Sequence, residues 1–139
     1  MPIQQSDVLY TAVATAENGR DGRVATDDGR LDVVVSPPVE MGGSGTGTNP
    51  EQLFAAGYSA CFQGALAVVA RQEKADVSGS TVTAKVGIGK NDDGFGLVVE
   101  ISATVPNVDP ETAKALVDKA HQVCPYSKAT RGNITVTLV

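Results

Sequence analysis

The two cysteines of this sequence are the residues whose types and positions most directly suggest chemistry. Cys61 lies in the middle of NPEQLFAAGYSACFQGALAVVARQE, and Cys124 lies in VCPYSKATRGN. A thiolate can act as a nucleophile, a redox centre or a metal ligand, whereas a buried free cysteine often behaves as a small inert hydrophobic residue. The sequence therefore raises two questions, namely whether the two thiols meet and what they do.

The composition of the chain excludes several classes of function. Its 139 residues include 42% hydrophobic and 19% charged residues, so we expect a single globular domain over residues 1–139. The net charge is −5 and no basic cluster is present, which argues against nucleic acid or an anionic membrane as a partner. Tryptophan is absent and aromatic residues are few, so the chain offers no platform for stacking bases.

The segments that could direct the chain to a membrane do not have the expected patterns. The N-terminal MPIQQSDVLY has no basic residues followed by an apolar run, so no signal peptide is predicted. The stretch 53–70 is long enough to span a membrane but carries Tyr58, Ser59 and Gln63, which favours a buried helix of a soluble protein. We therefore expect a cytoplasmic protein, in which paired cysteines serve redox, catalytic or metal chemistry more often than a structural disulfide.

The first forty residues predict three strands that precede the cysteine motifs. The stretch DVLYTAVATA alternates in polarity, and LDVVV gives a further short strand. Three dipeptides typical of tight hairpin turns occur in this region: Asn18-Gly19, Asp21-Gly22 and Asp28-Gly29. The following MGGSGTGT lacks the lysine of a phosphate-binding GxxxxGK[ST] loop, so we interpret it as a flexible connection.

Two helices and three more strands complete the predicted order of elements. A helix is predicted from Pro50 to about Glu73, because Asn49 can cap its start, and a second begins at Pro110 after Asp109. The strands STVTAKVGIGK and FGLVVEISATV are joined by NDDG, a hairpin signal, and NITVTLV forms the last strand. The resulting order βββαββαβ indicates an α+β fold with a mostly antiparallel sheet.

Helical periodicity predicts that the two cysteines lie near each other. Cys124 follows Ala113 by about three full turns, so it shares the apolar stripe of the second helix. The first helix is apolar on every side, and packing the second helix against it would bring Cys124 close to Cys61. A second copy of the chain in a symmetric dimer is the simplest cover for the remaining apolar face. The alternative, in which both cysteines are inert core residues, stays open at this point.

Two motifs resemble those of the organic hydroperoxide resistance proteins, within the osmotically inducible protein C (OsmC) superfamily. The first motif is GTNPEQLFAAGYSACF and the second is VCPYSKATRGNI. The cysteine of the second motif follows that of the first by 63 positions. The resemblance covers nearly the whole chain and includes YTAVATAENGRDGR and the βββαββαβ order. The departures are few: the family pattern has a further glycine within residues 42–47, Asn at Lys128 and an apolar residue at Gln63.

The resemblance implies both a fold and an activity. It implies antiparallel sheets wrapped around two central helices in an intertwined OsmC-like homodimer, with two active sites at the interface. The implied activity is that of a thiol peroxidase that reduces organic hydroperoxides to alcohols. The attacking cysteine corresponds to Cys61, the resolving cysteine to Cys124, the arginine of NGRDGR to Arg20 and the glutamate of NPEQLF to Glu51. The resemblance implies no bound cofactor, and the electron donor that it implies is the dithiol of a lipoylated protein.

The proposed chemistry requires a cation beside Cys61. A buried thiol has a raised pKa, and the dipole at the start of a helix fades within one turn, so it cannot assist a cysteine in mid-helix. Spacing alone does not choose among the five arginines of the sequence, and the resemblance selects Arg20. These candidates are Arg20, Arg23, Arg30, Arg71 and Arg131. Glu51 lies about 15 Å before Cys61 along the helix axis, which is too far to reach the cysteine of its own chain. If Glu51 anchors the arginine, it would do so at the cysteine of a second copy. A glutamate in the first turn of a helix can also simply complement the helix dipole.

The remaining residues suggest details of the site and competing functions. Cys124 is expected at a helix C-terminus, whose partial negative charge fits a resolving role, and Pro125 is expected to end that helix. Apolar side chains near Cys61 favour alkyl or fatty acid hydroperoxides; they are Phe54, Tyr58, Phe62 and Leu66. His121 with both cysteines and a carboxylate could instead form a zinc site. A general stress-induced OsmC-type peroxidase and a non-catalytic dimeric module that binds a small ligand are also compatible with the sequence.

Overall fold

The computed structural model describes residues 7–139. The first six residues, on which the interpretation of the N-terminus partly depends, lie outside the described residues. The described elements are β1 (Ala14–Glu17), β2 (Gly22–Thr26), β3 (Asp32–Val35), a 3-10 turn (Val39–Met41), α1 (Pro50–Glu73), β4 (Thr81–Asn91), β5 (Gly94–Thr104), α2 (Pro110–Val123), α3 (Pro125–Thr130) and β6 (Val136–Leu138). This order confirms the predicted α+β arrangement and adds the short helix α3.

The chain forms two compact units, of which the first ends at Pro50 and the second begins at Glu51. The single domain over residues 1–139 therefore stays a prediction. In the first unit β1, β2 and β3 form an antiparallel sheet in chain order. The strand predicted over DVLYTAVATA is wrong before Ala14, because β1 pairs with β2 only from Ala14 to Glu17. Alternating polarity does not make a strand where no neighbouring backbone pairs with it.

The second unit contains a three-stranded sheet in the order β4-β5-β6. The β4 and β5 strands form the predicted hairpin, whose turn is closed by the Asp93 N–H donating to Asn91 Oδ1 at 2.9 Å. The last strand pairs with β5 in parallel, so the chain crosses over through α2 and α3 before it returns to the sheet. This crossover is the segment that carries Cys124.

The core of the second unit lies between α1, α2 and the β4-β5-β6 sheet. Its largest fully buried side chains are Tyr58, Phe62, Leu66, Val99, Ile101, Leu116, Cys124 and Ser127. By length and composition α1 could cross a membrane, with a mean hydropathy of 1.6, but one face of it is inserted into this core. The expectation that the sheet and α2 leave one face of α1 uncovered is confirmed within the described residues, where small residues form an exposed stripe along it: Ala56, Ala60, Gly64 and Ala67.

Helix α2 begins as its sequence predicts but ends differently. The Asp109 side chain caps it by accepting a hydrogen bond from the Thr112 N–H at 2.7 Å. Pro125 was expected only to end this helix; in the structure α2 ends at Val123 and Pro125 is the first residue of α3. A proline cannot continue a helix because it lacks an N–H, but its fixed φ suits a first helical position. Pro125 therefore begins a second helix, and Cys124 is the single residue between the end of α2 and the start of α3.

Candidate thiol site

The two cysteine sulfur atoms are in contact inside the second unit. Cys61 Sγ and Cys124 Sγ lie 3.5 Å apart, and both residues are free thiols. Cys124 is fully buried, whereas Cys61 is only partly buried. The prediction that the thiols lie close together is confirmed, and Cys61 is the thiol that a molecule from solvent can reach more easily.

The backbone of Cys124 is held by both helices that flank it. Its N–H donates to the Ala120 carbonyl of α2 at 2.9 Å, and its carbonyl accepts the Lys128 N–H of α3 at 2.9 Å. Its backbone is extended, with φ −66° and ψ 124°. The expectation that Cys124 lies at a helix C-terminus is confirmed, because it is the C-cap of α2, and the residue also stands at the N-cap of α3. Its burial, more than a helix dipole, now distinguishes it from Cys61.

Three influences shift the pKa of the Cys61 thiol. Burial raises its pKa, the Tyr126 backbone N–H lowers it by hydrogen bonding to the sulfur, and the neighbouring Cys124 thiol raises it. The net pKa is above the ordinary value for a cysteine. Since attack on a peroxide requires the thiolate, the surroundings of Cys61 in the second unit do not by themselves activate it. A cation from elsewhere would have to supply that activation.

A chain of buried polar side chains lies beside the thiols. The Tyr58 hydroxyl is 2.8 Å from Ser127 Oγ and 3.0 Å from Thr130 Oγ1, and Ser127 Oγ is 2.8 Å from His121 Nδ1. Tyr58, Ser127 and Thr130 are all buried. These hydrogen bonds connect α1, α2 and α3. We call the four residues Tyr58, His121, Ser127 and Thr130 the hydroxyl chain.

Sequence reasoning assigned no role to the hydroxyl chain, although a signal for it was present. Tyr58 precedes Cys61 by three positions, and Cys124 has His121 three positions before it and Ser127 three positions after it. Residues three apart in a helix lie on the same face, one turn from each other. A polar residue one turn from a buried cysteine is therefore placed beside the thiol, but only the structure shows that these polar residues bind one another.

Aromatic rings pack together on the side of α1 near the thiols. The ring centroids of Phe54, Tyr58 and Tyr126 are 5.6 to 6.1 Å apart in tilted or edge-to-face arrangements. Tyr126 crosses α1 at Gly57, where a β-carbon would lie 2.7 Å from the Tyr126 hydroxyl oxygen. Gly57 thus lets α3 approach α1 closely. Tyr58 and Phe62 are fully buried and therefore do not line an open pocket at Cys61, whereas Phe54 is partly buried and Tyr126 is 39% exposed.

The other two predicted site residues lie at the ends of different elements. Arg20 is exposed in the turn between β1 and β2 of the first unit. Glu51 is in the first turn of α1 and is only 9% exposed. Among the remaining candidates, Arg23, Arg30 and Arg131 also have partners, and Arg30 pairs with Asp28 at 3.8 Å. Arg23 forms two hydrogen bonds to Asp32, at 2.6 and 2.7 Å, and Arg131 Nη1 donates to the His121 carbonyl. The roles of Arg20 and Glu51 stay predictions.

The hypothesis of a zinc site gains no support from the geometry. Within residues 7–139 no three His, Cys, Asp or Glu side chains are grouped so that they could hold a metal ion. His121 directs Nδ1 toward Ser127, and burial, with Arg131 nearby, lowers its pKa.

Several proteins of known name are similar to this chain over most of its length. An organic hydroperoxide resistance protein of Xanthomonas axonopodis pv. citri is 58% identical over 133 residues, which cover 94% of each chain. Organic hydroperoxide resistance protein OhrB of Bacillus subtilis is 47% identical over 133 residues, which cover 94% of this chain and 96% of the relative. These names associate the relatives with resistance to organic hydroperoxides, in agreement with the motifs around the two cysteines.

Solved structures show the same fold. A crystal structure of an organic hydroperoxide resistance protein from Elizabethkingia anophelis superposes with a TM-score of 0.90 at 53% identity, covering 96% of both chains. A Vibrio cholerae structure, described as an organic hydroperoxide resistance protein with captopril bound in one of the active sites, has a TM-score of 0.91 at 51% identity, covering 97% of this chain and 94% of that one. Residues 43–139 match the family described as OsmC-like protein. The chain therefore belongs to the OsmC-like protein family, as the resemblance of its cysteine motifs predicted.

Proposed function

We propose that this protein is a thiol-dependent peroxidase that reduces alkyl or fatty acid hydroperoxides to alcohols. The observation that carries the proposal is the 3.5 Å contact between a partly buried and a fully buried free thiol. Relatives named for resistance to organic hydroperoxides support a role in peroxide detoxification. A reactive thiol with a second thiol in contact is the arrangement that a peroxidase with a resolving cysteine requires.

The reaction begins at Cys61, because Cys61 is the more accessible thiol. Its thiolate attacks the distal oxygen of the hydroperoxide, and the O–O bond breaks as an S–O bond forms. The alkoxide that leaves takes up the proton that the thiol released and becomes the alcohol. Cys61 is thereby oxidised to a sulfenic acid.

The second step uses Cys124. Its sulfur attacks the sulfur of the Cys61 sulfenic acid, and an S–S bond forms as the S–O bond breaks. The hydroxyl group leaves with the proton of the Cys124 thiol as water. A dithiol then reduces the disulfide by thiol–disulfide exchange. We propose the dihydrolipoyl dithiol of a lipoylated protein as this reductant, with no cofactor bound to the chain itself, and the cytoplasm as the location.

Arg20 and Glu51 complete the proposed site. The Arg20 guanidinium would stabilise the Cys61 thiolate, and Glu51 of the second copy would orient that guanidinium by a bidentate contact. Support comes from the raised pKa of Cys61, which calls for a cation. An arginine suits this place because it stays charged when buried.

We further propose that two copies of the chain form a homodimer with the active sites at their interface. The exposed stripe of Ala56, Ala60, Gly64 and Ala67 supports this assembly, because small side chains allow another backbone to approach α1 closely. The description of captopril in one of the active sites of the Vibrio cholerae structure indicates more than one site in that relative. A symmetric pair of sites in a homodimer agrees with it.

Thiol counting tests the proposed function. The reduced protein is mixed with one equivalent of tert-butyl hydroperoxide, and with hydrogen peroxide in parallel, and its free thiols are counted over time. We expect loss of both thiols within seconds for the organic peroxide and a slower loss for hydrogen peroxide. The Cys124→Ser variant should instead yield a Cys61 sulfenic acid that can be trapped with dimedone, and Cys61→Ser should consume no peroxide.

The outcomes separate this proposal from the competing functions. Equal rates with the two peroxides would favour a general stress-induced peroxidase. Survival of both thiols during minutes of excess organic hydroperoxide would contradict the proposal and favour an inert pair of core cysteines in a ligand-binding module.

A further inference from the structure

The proposed steps at the two sulfur atoms leave the hydroxyl chain without a task. Its hydroxyl groups are buried, and within the described residues every fully buried side-chain nitrogen or oxygen has a hydrogen-bond partner. A buried polar network of this kind is costly unless it is fully satisfied, and a satisfied one fixes the elements that it connects. The question is which elements the hydroxyl chain fixes.

The protons of the hydroxyl chain can be placed by counting donors. Thr130 Oγ1 donates to the Ser127 carbonyl at 3.2 Å, so its contact with Tyr58 requires the tyrosine to donate. Tyr58 has one proton, so Ser127 donates to the tyrosine oxygen, and His121 Nδ1 must then donate to Ser127. This direction satisfies every contact with one proton each. It also places the neutral His121 in the tautomer that carries its proton on Nδ1.

The hydroxyl chain connects the two helices that carry the reacting thiols. Tyr58 lies one turn before Cys61 on α1, and its hydroxyl binds both Ser127 and Thr130 of α3, whose N-cap is Cys124. Helix α3 has only six residues, and a helix of that length does not persist without tertiary contacts. Its hydroxyl contacts to Tyr58, from its third and last residues, therefore hold α3 at a fixed place along α1.

We propose that Tyr58 is a positioning residue, which holds the Cys124 sulfur against Cys61 for disulfide formation through its contacts with Ser127 and Thr130. This role rests on the proposed peroxidase function. The Cys61 sulfenic acid has two fates: attack by Cys124 gives the disulfide and water, whereas a second hydroperoxide oxidises it to the sulfinic acid and leaves a second alcohol. Accurate placement of Cys124 favours the first fate. The role acts on the second step and leaves the first attack on peroxide unaffected.

The test compares Tyr58→Phe with Tyr10→Phe, a matched change at a side chain that is 79% exposed. Each protein is exposed to rising concentrations of tert-butyl hydroperoxide, and intact mass spectrometry measures the ratio of disulfide to sulfinic acid. We expect Tyr58→Phe to reach half over-oxidation at about a tenfold lower peroxide concentration, a change within the range for loss of its two hydrogen bonds, to Ser127 and Thr130. The rate constant for the first oxidation of Cys61 should stay within about twofold of the control, a difference that is small on this energy scale.

Controls keep this role separate from simple loss of folding and from failure of the peroxidase function. Near-ultraviolet circular dichroism shows whether Tyr58→Phe is folded; if it is not, Thr130→Val replaces it, and Thr130→Ser, which keeps the hydroxyl, should restore the wild-type ratio. A folded Tyr58→Phe protein that over-oxidises at the same peroxide concentration as Tyr10→Phe would overturn the positioning role.

If the wild-type protein itself consumes no organic hydroperoxide, the proposed function fails, and a glutathione redox titration then measures positioning alone. A lower effective concentration of the two thiols in Tyr58→Phe would support it, and an unchanged value would contradict it.

Discussion

At Cys61, opposing contributions act on a single sulfur atom. Burial and the Cys124 thiol raise the pKa, and the Tyr126 backbone N–H lowers it. These influences have different sources, since burial belongs to the packing of α1, the N–H to the backbone of α3, and the neighbouring thiol to one side chain. Only the last can be removed by a conservative substitution, which makes its contribution measurable.

Replacing Cys124 by alanine should lower the pKa of Cys61. The alanine removes the neighbouring thiol, which raises this pKa, and leaves the Tyr126 N–H in place. A lower pKa means a larger thiolate fraction at any pH below it, so alkylation of Cys61 by iodoacetamide near neutral pH should become faster. The measurement is the rate of Cys61 alkylation against pH in both proteins, followed by peptide mass spectrometry. A profile that is unchanged, or displaced to higher pH, would contradict the expectation.

At the scale of elements, sequence reasoning succeeded where the signals are local. The start of α1 at Pro50, the Asp109 cap of α2 and the β4-β5 hairpin each follow from a few adjacent residues, and the structure confirms them. The closeness of Cys61 and Cys124 followed from helical periodicity. These predictions needed only propensity and spacing, which are properties of the sequence itself.

The predictions that failed depend on partners distant in the chain. The length of β1 is decided by how much of it pairs with β2, and the contacts of Tyr58 join residues 69 and 72 positions apart. Pro125 has the same local signature whether it only ends a helix or also begins the next one. The choice of Arg20 came from resemblance alone and is still a prediction, because spacing does not select one arginine among five.

His121 gives the connection between α2 and α3 a dependence on pH. Its pKa is lowered, first by burial and then by Arg131, with Asp118 opposing them. A histidine whose folded pKa lies below its unfolded value of 6.5 is stabilising as the neutral form. That contribution is complete above the unfolded pKa and is lost as the pH falls through the folded pKa. The fold should therefore lose stability on mild acidification.

The change that tests this is His121→Asn, which cannot titrate but retains an N–H donor near the place of Nδ1. We expect the free energy of unfolding of the wild type to fall more than that of the variant between about pH 7.5 and pH 5. Urea unfolding at both pH values measures the difference. Because His121 is the only histidine in the chain, equal losses in the two proteins would show that its titration does not affect folding.

At the scale of the whole molecule, the exposed stripe on α1 sets an expectation for assembly. Ala60→Glu places a carboxylate in the middle of this stripe, and burying it against a second copy without a partner is costly. We expect the wild type to sediment as a dimer and Ala60→Glu as a monomer in analytical ultracentrifugation.

The matched control for this experiment is Ala115→Glu, at an exposed alanine of α2 outside the stripe, which should sediment like the wild type. A dimeric Ala60→Glu protein would show that the stripe is not the interface.

The separation of Cys61 and Cys124 by 63 positions has a further consequence during protein synthesis. Ribosomes add about 5–20 residues per second, so roughly 3–13 seconds pass between the two cysteines. During this interval the nascent chain carries Cys61 without a second thiol and α1 without the helices that cover it. An oxidant that reaches Cys61 then meets a thiol with no neighbour to convert its sulfenic acid into a disulfide. If Cys124 has the proposed resolving role, we expect unfinished chains to be more vulnerable to irreversible oxidation than finished ones.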